Sequence, residues 1–162
     1  MVLIGIGSNL RSKKFGPPLS NCIESIQEIE KNFRVKQISS WYKSEPLPKS
    51  DQPWFVNGVV EISYQNNNVE KLLKTLHEIE KKFGRLRKKL NESRTLDLDI
   101  LDFNSKIIST KNLTIPHPRM HKRKFVLLPI KELNKNWIHP KYNLSIENLL
   151  TAIKDSQNII KI

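Results

Sequence analysis

The clearest alternating segment of the chain reads Thr95-Leu96-Asp97-Leu98-Asp99-Ile100-Leu101. Successive side chains of a β-strand point to opposite faces, so the apolar residues share one face and the two aspartates project from the other. This pattern predicts a half-buried strand over residues 95–103. The same segment carries the most suggestive pair of chemical groups in the chain.

Two amphipathic helices are predicted upstream. One begins after Asn68, a good helix-capping residue, and ends at Gly84. Its apolar stripe comprises Val69, Leu72, Leu73, Leu76, Ile79 and Phe83. The other follows Pro17 and Pro18, since proline is tolerated at a helix start. Its stripe comprises Leu19, Cys22, Ile23, Ile26, Ile29 and Phe33, again at the spacing typical of one helix face.

Three earlier strands complete the order. Residues 2–7 predict a buried strand that ends in a Gly-Ser-Asn turn, and residues 35–42 and 54–64 predict a hairpin-like pair. The order β-α-β-β-α-β predicts an α+β fold with a ferredoxin-like core, in which two helices pack on an antiparallel sheet. Extra C-terminal helices are expected at residues 124–133 and from Ser145. Residues 1–162 are expected to form one domain.

The charge and cysteine content narrow the class of protein. The chain has 162 residues with 28 Lys and Arg against 16 Asp and Glu, a formal charge of +12, which favours polyanionic partners. A single cysteine excludes an internal disulfide, and no apolar run approaches the roughly 20 residues that cross a bilayer. Since the start of the chain does not resemble a secretory signal, we expect a cytoplasmic protein without a membrane partner.

Asp97 and Asp99 form a candidate metal site. Residues i and i+2 of a strand lie roughly 7 Å apart, so the two carboxylates can converge on hard cations between them. Residues 81–94 just upstream contain seven Lys or Arg and one acid, and residues 117–124 form a second basic cluster. Carboxylates beside a cationic loop suit a metal-bound nucleoside triphosphate. The alternative is a solvated strand face that pairs with nearby lysines.

Other residues allow two interpretations. Glu80 lies at the edge of an apolar stripe, where it either forms a local salt bridge or belongs to a polar site. Phe55 and Asn57 share a strand face that either binds a flat heterocycle or is simply half-buried. Gly5 and Gly7 lack the third glycine of a dinucleotide-binding motif and predict a plain strand-to-loop turn.

Three stretches together resemble one known family, at residues 4–10, 94–100 and 115–129. They are similar to the 6-hydroxymethyl-7,8-dihydropterin pyrophosphokinases of folate biosynthesis. The resemblance implies a three-layer α/β/α arrangement of the ferredoxin-like core. It also implies transfer of the β,γ-diphosphoryl group of ATP to the hydroxymethyl oxygen of the pterin, with release of AMP.

The resemblance further implies roles for individual residues. Asp97 and Asp99 would ligate two Mg²⁺ ions, while Arg85 and Arg94 would act in catalysis from a loop that closes over the triphosphate. The other implied ATP contacts are Glu80, Arg87, Ile100, Thr114, His117 and Arg123. The implied pterin contacts are Ser44, Pro46, Leu47, Phe55, Asn57 and Phe125. The expected partners are ATP and 6-hydroxymethyl-7,8-dihydropterin, bound by a monomer that does not bind nucleic acid.

The chain departs from the family pattern in three places. Residues 88–93 lack a tryptophan that many members carry and are shorter, Phe55 replaces a common tyrosine, and Glu45 lies in a pterin loop that is usually apolar. Two other functions are compatible with composition and spacing. A basic ferredoxin-like sheet can bind RNA, although the expected aromatic strand motif is absent. Another metal-dependent transferase can also use an Asp-x-Asp pair.

Overall fold

The computed structural model describes residues 1–85, 92–154 and 157–162. Its strands are β1 (Val2–Ser8), β2 (Arg34–Ile38), β3 (Tyr42–Ser44), β4 (Phe55–Ser63), β5 (Asp97–Phe103), β6 (Ile108–Ser109), β7 (Thr114–Ile115) and β8 (Ile159–Lys161). Its α-helices are α1 (Pro18–Glu30), α2 (Val69–Lys82), α3 (Lys124–Leu133) and α4 (Ile146–Ala152), and a 3₁₀ turn covers Met120–Lys122. The predicted α+β class and the predicted helix positions are confirmed.

The main sheet has six strands. Its order is β5-β1-β4-β3-β8, with β2 also paired to β4, and every pairing in it is antiparallel. β1 lies at the centre between β4 and β5, as the ferredoxin-like order requires. β8 was not predicted, and it adds an outer strand beside β3.

Helices cover both faces of this sheet, which confirms three layers. On one face, α1 and α2 pack on β1, β4 and β5 through a core that includes Ile4, Val60 and Leu98. On the other face, α3 and α4 pack on Leu3, Val59 and Leu101. The alternation of side chains along each strand divides the apolar residues between the two cores. No helix among the described residues is long and apolar enough to cross a membrane.

Two details of the prediction were wrong. The strand expected at residues 35–42 is divided into β2 and β3, because the Ser39 hydroxyl accepts the backbone N–H of Val59 at 2.9 Å and interrupts the ladder. Leu19 and Ile23, placed in the buried stripe of α1, are 37% and 46% exposed. The buried face of α1 is rotated, and it contains the polar residue Asn21, whose amide donates to the carbonyls of Leu10 and Thr95.

The local signals at the second helix and at α4 are confirmed. The side chain of Asn68 accepts the backbone N–H of Lys71 at 2.9 Å, and Ser145 caps α4 by accepting the N–H of Asn148. Gly84 has a positive φ of 78°, a conformation that favours glycine after a helix end. These features place Arg85 directly after α2, next to the start of β5.

Candidate active site

A cleft of about 160 Å³ opens beside β1, β4 and β5, next to the loop that follows β3. It brings together many of the residues singled out in the sequence: Ser44, Pro46, Leu47, Phe55, Asn57, Arg94, Asp97, Asp99, His117, Arg123 and Phe125. Its lining combines aromatic and aliphatic side chains with ionisable groups. The arrangement suits a ligand with a flat heterocycle near a strongly anionic group.

Two glycines of β1 make room for the cleft. Gly5 is in register with Asp99, and Gly7 is in register with Asp97. A Cβ atom at Gly7 would lie 3.4 Å from Oδ1 of Asn57, and one at Gly5 would lie 3.2 Å from the Leu101 side chain. The predicted strand-to-loop turn begins one residue later than expected, because β1 continues to Ser8. Glycines at alternate positions of a strand often mark a place where a ligand approaches the backbone closely. Gly5 and Gly7 could therefore have indicated the cleft from the sequence.

The aromatic part of the cleft is built on β4 and on the first turn of α3. The Phe55 ring has the Arg94 guanidinium 5.5 Å above its centroid, and the Phe125 ring has that of Arg123 at the same distance. Asn57 is buried and donates from Nδ2 to Oγ of Ser44 at 2.9 Å, which fixes the orientation of its amide. These side chains provide two ring faces and an oriented hydrogen-bonding group.

Asp97 is held by two arginines. Its two oxygen atoms accept hydrogen bonds from Arg85 and from Arg94, and only 15% of its side chain is exposed. Burial acts to raise the pKa of Asp97, but the charges and hydrogen bonds of Arg94 and Arg85 outweigh it and lower the pKa. Asp97 is therefore ionised at neutral pH.

Glu80 supports this arrangement from the far side of β5. Its carboxylate accepts the backbone N–H of Leu98 at 2.9 Å and lies 3.6 Å from the guanidinium of Arg85. Only 2% of its side chain is exposed. Arg85 also donates to the carbonyl of Leu96 at 2.8 Å. Glu80, Arg85 and Asp97 are thus joined by consecutive ion pairs. The buried Glu80 carboxylate therefore belongs to a polar site, where it contacts Arg85.

Asp99 has a different environment. Its side chain is 41% exposed, and the closest ion-pair contact is with Nε2 of His117 at 3.9 Å. Enclosure by the surrounding protein and the charge of Asp97 raise the pKa of Asp99 to about 7, against the opposing charges of Arg123 and Arg94. Burial and the charges of Arg123 and Arg119 lower the pKa of His117 to about 4, so this histidine is neutral at pH 7 and does not compensate Asp99.

A divalent cation fits the Asp99 side of the pair. A carboxylate with a raised pKa in a cleft is one that a nearby positive ion would stabilise, and carboxylate oxygens are ligands that Mg²⁺ prefers. Asp97 can ligate an ion only if the hydrogen bonds from its arginines open. Among residues 1–85, 92–154 and 157–162 no group of three or more His, Cys, Asp or Glu side chains forms a metal cage. A metal site at Asp97 and Asp99 would therefore need further coordinating oxygen atoms from a bound ligand.

Some predicted site residues lie elsewhere. Ile100 is buried in the core under α1 and α2, and Thr114 is exposed on β7. Glu80 and Arg85 contact the cleft only through β5 and Asp97, and Arg87 lies outside the described residues. Direct contact of these residues with ATP stays a prediction.

A polar clamp that no sequence pattern indicates lies behind Arg94. The buried side chain of Asn9 accepts the backbone N–H of Arg94 at 2.7 Å and donates to the Pro53 carbonyl at 3.1 Å. The backbone N–H of Asn9 donates to the carbonyl of Arg94 at 3.0 Å. These contacts join the end of β1, the loop before β4 and the segment that carries Arg94. No local pattern identifies such a clamp, because its members are far apart in the chain.

Comparisons with known proteins agree with this geometry. A family model described as 7,8-dihydro-6-hydroxymethylpterin-pyrophosphokinase (HPPK) matches residues 3–135. The chain is 36% identical over 153 residues to a 2-amino-4-hydroxy-6-hydroxymethyldihydropteridine pyrophosphokinase of Synechocystis, covering 93% of this chain and 75% of that one. It is 38% identical over 144 residues to the protein of the same name from Haemophilus influenzae, covering 89% and 88% of the two chains.

A solved structure supports the fold. The HPPK-DHPS protein of Plasmodium falciparum, crystallised with pterin and p-hydroxybenzoate, superposes with a TM-score of 0.69 at 15% identity. The match covers 93% of this chain but only 43% of the Plasmodium chain. At this level of identity the likeness concerns the backbone arrangement alone.

Proposed function

Because the chain belongs to the 7,8-dihydro-6-hydroxymethylpterin-pyrophosphokinase family, we propose that it transfers the diphosphoryl group of ATP to 6-hydroxymethyl-7,8-dihydropterin in folate biosynthesis. In this reaction the hydroxymethyl oxygen forms a bond to the β phosphorus. The bond between that phosphorus and its bridging oxygen to the α phosphorus breaks, and AMP leaves. The observation that carries the proposal is one cleft in which two aromatic rings adjoin a pair of carboxylates and two arginines.

The pterin is proposed to bind in the aromatic part of the cleft. Phe55 and Phe125 would contact its ring faces, which requires the arginines above them to move aside. Asn57, oriented by its bond to Ser44, would contact the polar edge of the heterocycle. Ser44, Pro46 and Leu47 line the neighbouring wall of the cleft. A phenylalanine at position 55 retains the ring for stacking and lacks only the hydroxyl of a tyrosine.

The triphosphate is proposed to bind beside the carboxylates. Arg94 and Arg123 line the cleft there, and burial and the charge of Arg119 lower the pKa of Arg123 only to about 10, so it remains charged at neutral pH. His117, which is neutral, can donate a hydrogen bond without adding charge. We assign Arg85 and Arg94 the task of stabilising charge on the transferred group once they leave Asp97.

Asp97 and Asp99 are proposed to hold two Mg²⁺ ions that bind together with ATP. When bound, Mg²⁺ neutralises phosphate charge and makes the phosphorus a better electrophile. Asp99 is already available for a cation, whereas Asp97 has to exchange its arginine partners for one. The arginines thereby become available to the phosphates. The two carboxylates would consequently bind ions only together with the nucleotide.

The proposal is tested by incubating the protein with ATP, Mg²⁺ and 6-hydroxymethyl-7,8-dihydropterin and separating the nucleotides. AMP that forms only with both pterin and Mg²⁺ is expected. ADP would show transfer of the γ-phosphoryl group and contradict the proposal, as would the absence of turnover. R94A is expected to lower kcat by about 10²-fold or more while changing substrate binding much less. R34A, which removes an exposed arginine of β2, is the matched control.

The structure favours this function over nucleic-acid binding. RNA-binding sheets of this topology present an open face to the bases, whereas here α3 and α4 cover that face of β1 and β4. The exposed part of the sheet carries Asp97 and Asp99, which would repel phosphates without metal ions. We propose that residues 1–162 form one domain, since both cores pack on the same sheet. A monomeric state is a separate proposal. Cytoplasmic location also stays a proposal.

A further inference from the structure

The strand β8 and the two residues before it contact the wall of the pterin cleft. β8 pairs with β3, with Ser44 in register with Ile159 and Tyr42 with Lys161. β3 leads directly into the loop formed by residues 44–48, each of which lines the cleft. Because β3 also pairs with β4, this short strand lies between the strand that bears Asn57 and the strand β8. The position of the loop therefore depends on a segment more than one hundred residues away.

Glu45 is the centre of this contact. Its backbone N–H donates to the carbonyl of Asn158 at 3.1 Å, and its own carbonyl accepts from Nε2 of Gln157 at 2.6 Å. Its carboxylate accepts from the backbone N–H and from Nδ2 of Asn158, both at 3.0 Å. Both backbone polar groups and both carboxylate oxygens of Glu45 are thus hydrogen-bonded to residues 157 and 158.

The other end of β8 is attached to α3. Glu132 accepts from Nζ of Lys161 at 2.5 Å, from the Tyr42 hydroxyl at 2.7 Å and from the backbone N–H of Ser40 at 2.7 Å. α3 carries Phe125 in its first turn. Residues 157–162 therefore connect the loop on one side of the aromatic slot to the helix on the other side.

We infer that Gln157 and Asn158 are positioning residues that hold the loop at Glu45 in the shape required for pterin binding. This inference rests on the proposed function and deepens it. The glutamate at position 45, which precedes the apolar residues Pro46, Leu47 and Pro48, is explained by its partners in the 157–158 segment. The loop contributes backbone groups to substrate binding, so a small displacement would weaken pterin binding while leaving the carboxylates and cations unchanged.

Two variants of the contact between Glu45 and Asn158 test this inference. N158D is isosteric and places a second carboxylate against Glu45, so we expect the KM for the pterin to rise about tenfold with little change in kcat or in the KM for ATP. E45Q/N158D restores an amide-to-carboxylate pair with the roles exchanged, and it is expected to recover most of the lost affinity. K131E, which sets a carboxylate against Glu147 between α3 and α4, is the matched control and should leave the pterin KM unchanged.

Hydrogen exchange of the peptide that contains Glu45 provides a second measurement. N158D should accelerate exchange there, and E45Q/N158D should slow it again. An unchanged pterin KM in N158D, or a double variant no better than N158D, would overturn the inference. A parallel loss of kcat and of ATP affinity would also overturn it, since that would indicate general destabilisation. If the unaltered protein shows no pterin turnover, the proposed function fails first, and unchanged exchange in N158D would show separately that the contact is absent.

Discussion

Asp99 is expected to reduce the stability of the ligand-free protein. The pKa of Asp99 is raised to about 7 in the folded protein, compared with about 3.9 for an aspartate in an unfolded chain. Between these two values the folded state binds more protons than the unfolded state, so stability falls as pH rises from about 4 to about 7. D99N removes the titrating group and should abolish this loss.

The magnitude follows from the same values. For a fully enclosed carboxylate, a pKa that rises from 3.9 in the unfolded chain to 7 in the folded protein would lower the free energy of unfolding by about 4 kcal/mol above pH 7. Because 41% of the Asp99 side chain is exposed, solvent screening reduces the effect, and we expect about 1–2 kcal/mol at pH 8. For a chain of this length such a gain raises Tm by roughly 3–6 °C.

The assay is thermal or urea unfolding without nucleotide or Mg²⁺ at several pH values from 4 to 8. D99N and the unaltered protein should have similar stability near pH 4, and D99N should be more stable by an increasing margin as pH rises. D51N, which removes the same charge from an exposed loop, should show no such divergence. A D99N variant that is less stable at pH 8, or a margin that does not change with pH, would refute the electrostatic argument.

Three other perturbations probe the structure. D97N, in contrast to D99N, should destabilise the protein by about 2–3 kcal/mol in urea unfolding, because two largely buried arginines lose their common carboxylate. Unchanged stability of D97N would contradict the ion pairs of Asp97 with Arg85 and Arg94. G58A should cost about 1–3 kcal/mol and alter near-UV circular dichroism, since the new Cβ would lie 2.5 Å from the Trp41 ring. Burial lowers the pKa of His139 to about 4 in the folded protein. On acidification the unfolded state therefore binds a proton at His139 before the folded state does. The free energy of unfolding should fall between about pH 6.5 and pH 4 by at most about 1.4 kcal/mol per pH unit. H139Q should flatten that dependence, and an equal slope in H139Q would show that other groups cause it.

Local patterns in the sequence predict the order of the elements well. Period-two and three-to-four-residue spacings report which side of a strand or helix is apolar, and Asn68 and Ser145 mark helix starts through contacts within one turn. The pattern fails where a polar residue is buried through long-range hydrogen bonds. Asn21 is such a case, because its partners lie just after β1 and just before β5, and its burial displaces Leu19 to the surface.

In the candidate site, too, local patterns predict some features, while others depend on contacts between distant segments. Alternation around residues 95–101 predicts that Asp97 and Asp99 share a face, and both line the cleft. Their different electrostatics could not be predicted, because one aspartate meets arginines from two separate segments and the other does not. Likewise, Glu45 is apparent in the sequence as an unusual residue, but its partner Asn158 is 113 positions away.

Arg85 and Arg94, which both bind Asp97, are attached to different parts of the fold. Arg85 is fixed by Glu80 and the Leu96 carbonyl on the side of α2, while Arg94 is fixed by Asn9 on the side of β1. The two arginines are thus anchored through different parts of the described structure. Loss of the Asn9 contact is therefore expected to displace the segment at Arg94 while Arg85 keeps its contacts with Glu80 and Leu96.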